Sequence, residues 1–68
     1  MCLLKVYVTD EKTGDRKLIA ENVALVSMEN GYVRLLDVEA KEKVLSKAEF
    51  LLADALNSIL ILRSHGDS

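Results

Sequence analysis

Asn30-Gly31 stands between two apolar-rich runs, residues 23–28 before it and 32–38 after it. No other dipeptide in the chain restricts the fold so strongly. A two-residue type I′ turn needs positive φ at both central positions, and Asn followed by Gly adopts that geometry at least cost. The spacing therefore predicts an antiparallel hairpin, around which the remaining segments must be arranged. Other turn signals recur at short intervals: Asp10 to Asp15 with Gly14 inside it, Glu21-Asn22, the charged stretch 39–42, and Asn57-Ser58. Proline is absent. Short segments between frequent turns indicate an all-β unit.

The segments themselves carry strand periodicity. In residues 2–9 the even positions Cys2, Leu4, Val6 and Val8 are all apolar, while the odd ones are mixed. Apolar residues at every second position mark a half-buried strand. Residues 16–20, 23–28, 32–38, 43–47 and 59–63 read as further strands, with Glu21-Asn22 breaking the second from the third. Residues 48–56 are full of helix formers, and their own pattern leaves helix and strand both open. The expected fold is an all-β, small antiparallel barrel-like domain of about six to seven short strands, of SH3 or Sm-like type. Residues 1–63 are expected to form one β domain, and 64–68 a flexible C-terminal tail. Several strands carry apolar residues on both faces, among them Leu3 and Tyr7, Ala24 and Val26, Leu36, and Leu60 with Leu62. A single small barrel should keep its outer face polar, so this surplus points to a second buried surface and a homodimer.

At 68 residues the chain buries only about 60% of its unfolded surface, and domains of this size often lean on disulfides, a metal or oligomerisation. A single cysteine forbids an internal disulfide, which leaves a metal or a partner subunit. A free thiol also fits a reducing, cytoplasmic compartment. No basic segment leads into a long apolar stretch, as a secretory signal would require. Apolar runs such as 59–62 are far too short to span a membrane as a helix. The formal net charge is −2, with both signs mixed along the chain. This disfavours nucleic acid as a partner, since phosphate neutralisation needs clustered Lys and Arg. The three aromatics, Tyr7, Tyr32 and Phe50, are not interleaved with a basic stripe, as a stacking platform for single strands would need.

The lone cysteine is the second residue, so a thiol, an amide nitrogen and the α-amine of Met1 fall within two residues. Thiolate and nitrogen donors suit late transition metals such as nickel, copper and zinc. One Cys2 is a weak site by itself. A two-fold axis near the N-termini would bring two thiolates and two nitrogens together, and four such donors in a square-planar set favour Ni(II) or Cu(II) over Zn(II). Cys2 is also in phase with the buried face of its strand, where a cysteine is simply a small hydrophobe. Both readings stand on these residues alone.

No catalytic constellation is visible. The only histidine, His65, sits in a polar Gly/Ser tail that cannot hold a base in the geometry a thiolate–imidazole pair requires. It reads as a solvated tail residue. Glu11, Asp15, Glu39 and Glu42 read as solvated turn carboxylates, and Met28 as a core residue. No glycine-rich phosphate loop exists. A non-enzymatic role follows.

Met1-Cys2 with the β-rich run to Val8, Ile19-Ala20-Glu21-Asn22-Val23, Glu29-Asn30-Gly31, Leu35-Leu36-Asp37-Val38 and Ser58-Ile59-Leu60-Ile61-Leu62 together resemble the CooT family of small nickel-binding proteins. Of these, Met1-Cys2 is the specific element and the remainder is pattern. The resemblance implies an all-β homodimer with Ni(II) at the dimer interface. Its ligands would be Cys2, after the initiator methionine, and Met1. It implies a nickel carrier or metallochaperone-like factor tied to carbon monoxide dehydrogenase maturation, with Zn(II) or Cu(II) as competing occupants in vitro. Relatives are also labelled predicted RNA-binding. The alternatives are accordingly a small RNA-binding β-barrel and a structural interaction module with an inert cysteine. The chain departs from the family pattern in lacking glycines near Ala40 and in the 46–49 turn, which blurs the register of the neighbouring strands. Under the resemblance, residues 48–56 read as strand. Hydrogenase chaperones of the HypC type also begin Met-Cys, but their opening strand leads into a proline-glycine turn that this chain lacks.

Overall fold

A computed structural model describes residues 3–65. Six strands follow one another: β1 (Leu4–Asp10), β2 (Arg16–Glu29), β3 (Tyr32–Asp37), β4 (Glu42–Ser46), β5 (Ala48–Asp54) and β6 (Ile59–Ser64). They form one sheet in the order β4-β3-β2-β1-β6-β5. The hairpin expected at Asn30-Gly31 is present. Glu29 faces Tyr32 across the turn, and Asn30 and Gly31 have φ of 51° and 82°.

Three expectations are corrected. The first concerns the break at Glu21-Asn22. The segments 16–20 and 23–28 are one 14-residue strand, bent rather than interrupted. Asn22 takes a positive φ of 56°, and the register slips around it, between Leu4 and Val6 on β1 and between Val23 and Leu25 on β2. A bulge of this kind bends a strand without ending its pairing. The first half of β2 pairs with β1 and the second half with β3.

The second correction is to the antiparallel pattern. The sheet is mixed, because β1 and β6 run parallel, from Lys5 opposite Ile59 to Asp10 opposite Ser64. The third is to barrel closure. Only Lys47 separates β4 from β5, yet these strands are the two edges of the sheet and no ladder joins them. Lys47 has φ 56°, and this left-handed residue turns the chain away from β4 toward the opposite edge. The sheet curls far enough for β3 to approach β5, but it stays open.

One face of the curled sheet holds the core: Val6, Val23, Val33, Leu35, Leu60 and Leu62, with Leu4, Val8, Ile19, Ala20, Val26, Leu45 and Ala48 packed against them. Strand alternation explains the set, since Val6 faces Leu60 and Val8 faces Leu62 across the parallel pair. Ile61 points to the other face and is still only 6% exposed, because Tyr7 and Leu52 flank it on the adjoining strands. Two-sided apolar strands are therefore real. Met28, expected in the core, is 44% exposed. It lies near the tip of the β2–β3 hairpin, where no further strand covers it.

Candidate functional site

The two ends of the parallel β1–β6 pair differ in chemistry. At the start of β1, Leu4 faces Val23 and the Lys5 amide donates to the Ser58 carbonyl at 3.0 Å. Ser58 adopts φ 58°, closing the tight β5–β6 turn. Asp54 organises that turn. Its carboxylate accepts from the Asn57 amide at 3.1 Å and from Asn57 Nδ2 at 2.9 Å. The side-chain bond from Asn57, then the backbone one, holds the Asp54 carboxyl below its ordinary range. That carboxylate is therefore occupied as a turn cap.

Two exposed leucines rim this end. Leu56, in the β5–β6 turn, is 93% exposed, and Leu25, where β2 continues past the β1 start, is 51% exposed. Met1 and Cys2, the metal ligands expected from the sequence, lie outside the described residues and are joined to Leu3 at this end. Among the described residues no group of three or more His, Cys, Asp or Glu is placed to hold a metal ion.

His65 lies at the opposite end. Six residue steps along β1 at about 3.3 Å each put this end about 20 Å from the strand's start, so the chain direction separates His65 from Leu3. The sequence reading of His65 as a solvated tail residue needs amendment. Its Nδ1 meets Glu11 Oε1 at 2.9 Å and its Nε2 lies 3.4 Å from Glu49 Oε1. Its amide donates to the Lys47 carbonyl at 2.9 Å. Glu49 also accepts from Arg63, through Nε at 2.9 Å and Nη2 at 2.7 Å. The bond to Glu11, reinforced by Glu49, raises the His65 pKa, and the Arg63 bond foremost lowers that of Glu49.

Sequence reasoning missed this cluster because its members are separated by most of the chain. Only the parallel β1–β6 pairing, which no local pattern encodes, brings Glu11 and His65 together. Other turn carboxylates behave closer to expectation: Glu42 meets Arg34 Nε at 2.8 Å and Glu39 lies 3.4 Å from Lys41, all four side chains being about half or more exposed. Such surface pairs contribute little to stability. Among the described residues no helix is long and apolar enough to cross a membrane.

The chain matches the family model described as "CO dehydrogenase accessory protein CooT" over residues 1–62. Among solved structures, it is similar to that of a candidate CooT from Carboxydothermus hydrogenoformans, with a TM-score of 0.80. The likeness covers 96% of this chain and 100% of that one, at 15% sequence identity. At that identity the likeness speaks to the fold. No curated protein matches.

Proposed function

This chain belongs to the CooT family of CO dehydrogenase accessory proteins, and on that premise we propose that it is a nickel carrier. It holds Ni(II) at a homodimer interface through Cys2 of each subunit, with nitrogen donors from Met1 or the Met1–Cys2 amide. The carrying observation is that the family match begins at Met1 and so takes in the Met1-Cys2 pair. The donor set suits the cargo: two thiolates and two nitrogens around a d8 ion favour a square plane. The described fold supplies a second support. Leu25 and Leu56 are exposed at the end of the sheet to which Cys2 is joined. Covering them with a second copy would bury apolar surface beside the paired thiols. The role would be accessory, with carbon monoxide dehydrogenase as the nickel recipient.

The test is a nickel titration with sedimentation on wild type and Cys2→Ser. We expect one Ni(II) per dimer for wild type, with affinity weakening as pH falls. Metal displaces a proton from a thiol whose ordinary pKa is about 8.5. Cys2→Ser should abolish binding while leaving the fold. Unchanged nickel affinity in that variant refutes the reading. A wild-type monomer at tens of micromolar removes the shared site.

A further inference from the structure

Three strand ladders end together at one corner of the sheet, around the β4–β5 link at Lys47. The Lys47 amide donates to the Gly31 carbonyl at 3.2 Å, the His65 amide to the Lys47 carbonyl at 2.9 Å, and the Glu11 amide to the Ser64 carbonyl at 3.2 Å. These three bonds run in series from the β2–β3 hairpin, through the β4–β5 link and the end of β6, to the β1–β2 turn. They extend the β3–β4, β5–β6 and β1–β6 ladders by one step, past the pairs Tyr32–Ser46, Ala48–Ser64 and Asp10–Ser64. The His65 side chain stands over the same crossing, between Glu11 of the β1–β2 turn and Glu49 of β5.

We propose that the Glu11–His65–Glu49 bridge is a proton-operated latch that grips this corner, where the ends of β1 and β6 meet the start of β5, when His65 is charged and loosens it when His65 is neutral. The reason is the donor count of the ring. An imidazolium has two N–H groups and serves both carboxylates. A neutral imidazole has one, and its other nitrogen presents a lone pair to a carboxylate. One arm of the bridge then becomes repulsive. The charged groups facing the ring are Glu11 from the turn and Glu49 from β5. Arg63 of β6 reaches the ring only through Glu49, and Lys47 offers its backbone carbonyl. Two carboxylates against one partly engaged guanidinium favour the charged ring, in keeping with its raised pKa. The sign follows. Stabilisation from a raised histidine pKa is complete below the unfolded value of about 6.5 and is lost as pH rises through the folded value. At the acid side the latch fails again as Glu49, whose carboxyl is held below its ordinary range, protonates.

Amide hydrogen exchange read by NMR, corrected for intrinsic rates, tests the proposal between pH 6 and 9. The amides of Glu11, Lys47 and His65 should lose protection at least threefold, with a midpoint above 6.5. Those of Val6 and Leu62 should keep theirs. His65→Gln retains one donor but cannot be charged, and its three latch amides should show no such step. Glu11→Gln removes the closer carboxylate and should move the wild-type midpoint downward. This second variant decides the matter should the first fail to fold. Protection that ignores pH in wild type, an equal step in His65→Gln, or an unmoved midpoint in Glu11→Gln overturns the proposal.

Discussion

Two leucines only six positions apart offer a controlled test of where the energy of this fold resides. Leu62 is fully buried on β6, and Leu56 is 93% exposed in the preceding turn. Leucine-to-alanine changes in cores cost about 2–5 kcal/mol, the spread depending on how far neighbours collapse into the space. Leu62 is enclosed by Val8 on the parallel neighbour and by Phe50 across the antiparallel one. Val8 is partly buried against the core. Phe50 is 51% exposed and can lean inward, which places the cost in the lower half of the range, at about 3 kcal/mol. A chain this short has about 3–10 kcal/mol of total stability, at about 0.05–0.15 kcal/mol per residue. Leu62→Ala should therefore remove about a third or more of it and lower the melting temperature by at least about 12 °C. Leu56→Ala should change the folding stability of the subunit by no more than about 0.5 kcal/mol. Urea unfolding followed by circular dichroism at two protein concentrations measures both effects. If copies associate through the Leu56 end, the wild-type midpoint rises with concentration, and Leu56→Ala flattens that rise. Equal midpoint shifts for the two variants at the lower concentration would refute the assignment of the core.

Ala40 and Lys47 hold positive φ of 66° and 56°, where an L-residue pays about 1–2 kcal/mol that glycine avoids. After about 0.5–1 kcal/mol of added unfolded-state entropy, Ala40→Gly and Lys47→Gly should each stabilise by about 0.5–1 kcal/mol, seen as a higher melting temperature; a loss in both would show that these turns are not strained. A short extension ahead of Met1 should weaken nickel binding about tenfold, equivalent to about 1.4 kcal/mol, because it converts the terminal amine to an amide. The same extension after Ser68 should leave the titration unchanged, and equal affinities would place the nitrogen donors elsewhere.

Local chemistry was the legible part of the sequence. Asn30-Gly31 needed only its own backbone preference to specify the β2–β3 hairpin, and the Val6/Val8 alternation specified one core face; Leu60 and Leu62, read as part of an apolar surplus, belong to that same core. Residues 48–54 form β5 despite their helix formers, because pairing with β6 outweighs intrinsic propensity; the family resemblance found this and the residues themselves did not. Asn22 looked like a strand end, yet a single residue at positive φ can bend a strand and leave its ladder running. The missing glycines near 40 and 47 suggested a blurred register. The turns instead keep the left-handed geometry that glycine would serve, with Ala40 and Lys47 carrying the strain. Pairing between β1 and β6 joins segments more than 50 residues apart and leaves no trace in local periodicity. Everything that depends on it, from the open mixed sheet to the placement of His65, was hidden for that reason.

The parallel β1–β6 pair has a consequence for synthesis. It lies inside the sheet, so β6 is the strand that covers the second edge of β1. Before β6 is added, β1 to β4 can assemble as consecutive hairpins, with one side of β1 bare. Translation at about 5–20 residues per second leaves that edge open for seconds, presenting Val6 and Val8 beside unpaired backbone groups. An uncovered apolar edge of this kind is a template for pairing with another nascent chain. The fold is completed only when Ser64 has cleared the ribosome. Until then the bare edge of β1 is open to a second nascent chain, and crowding of ribosomes on one message would raise the risk of misassembly.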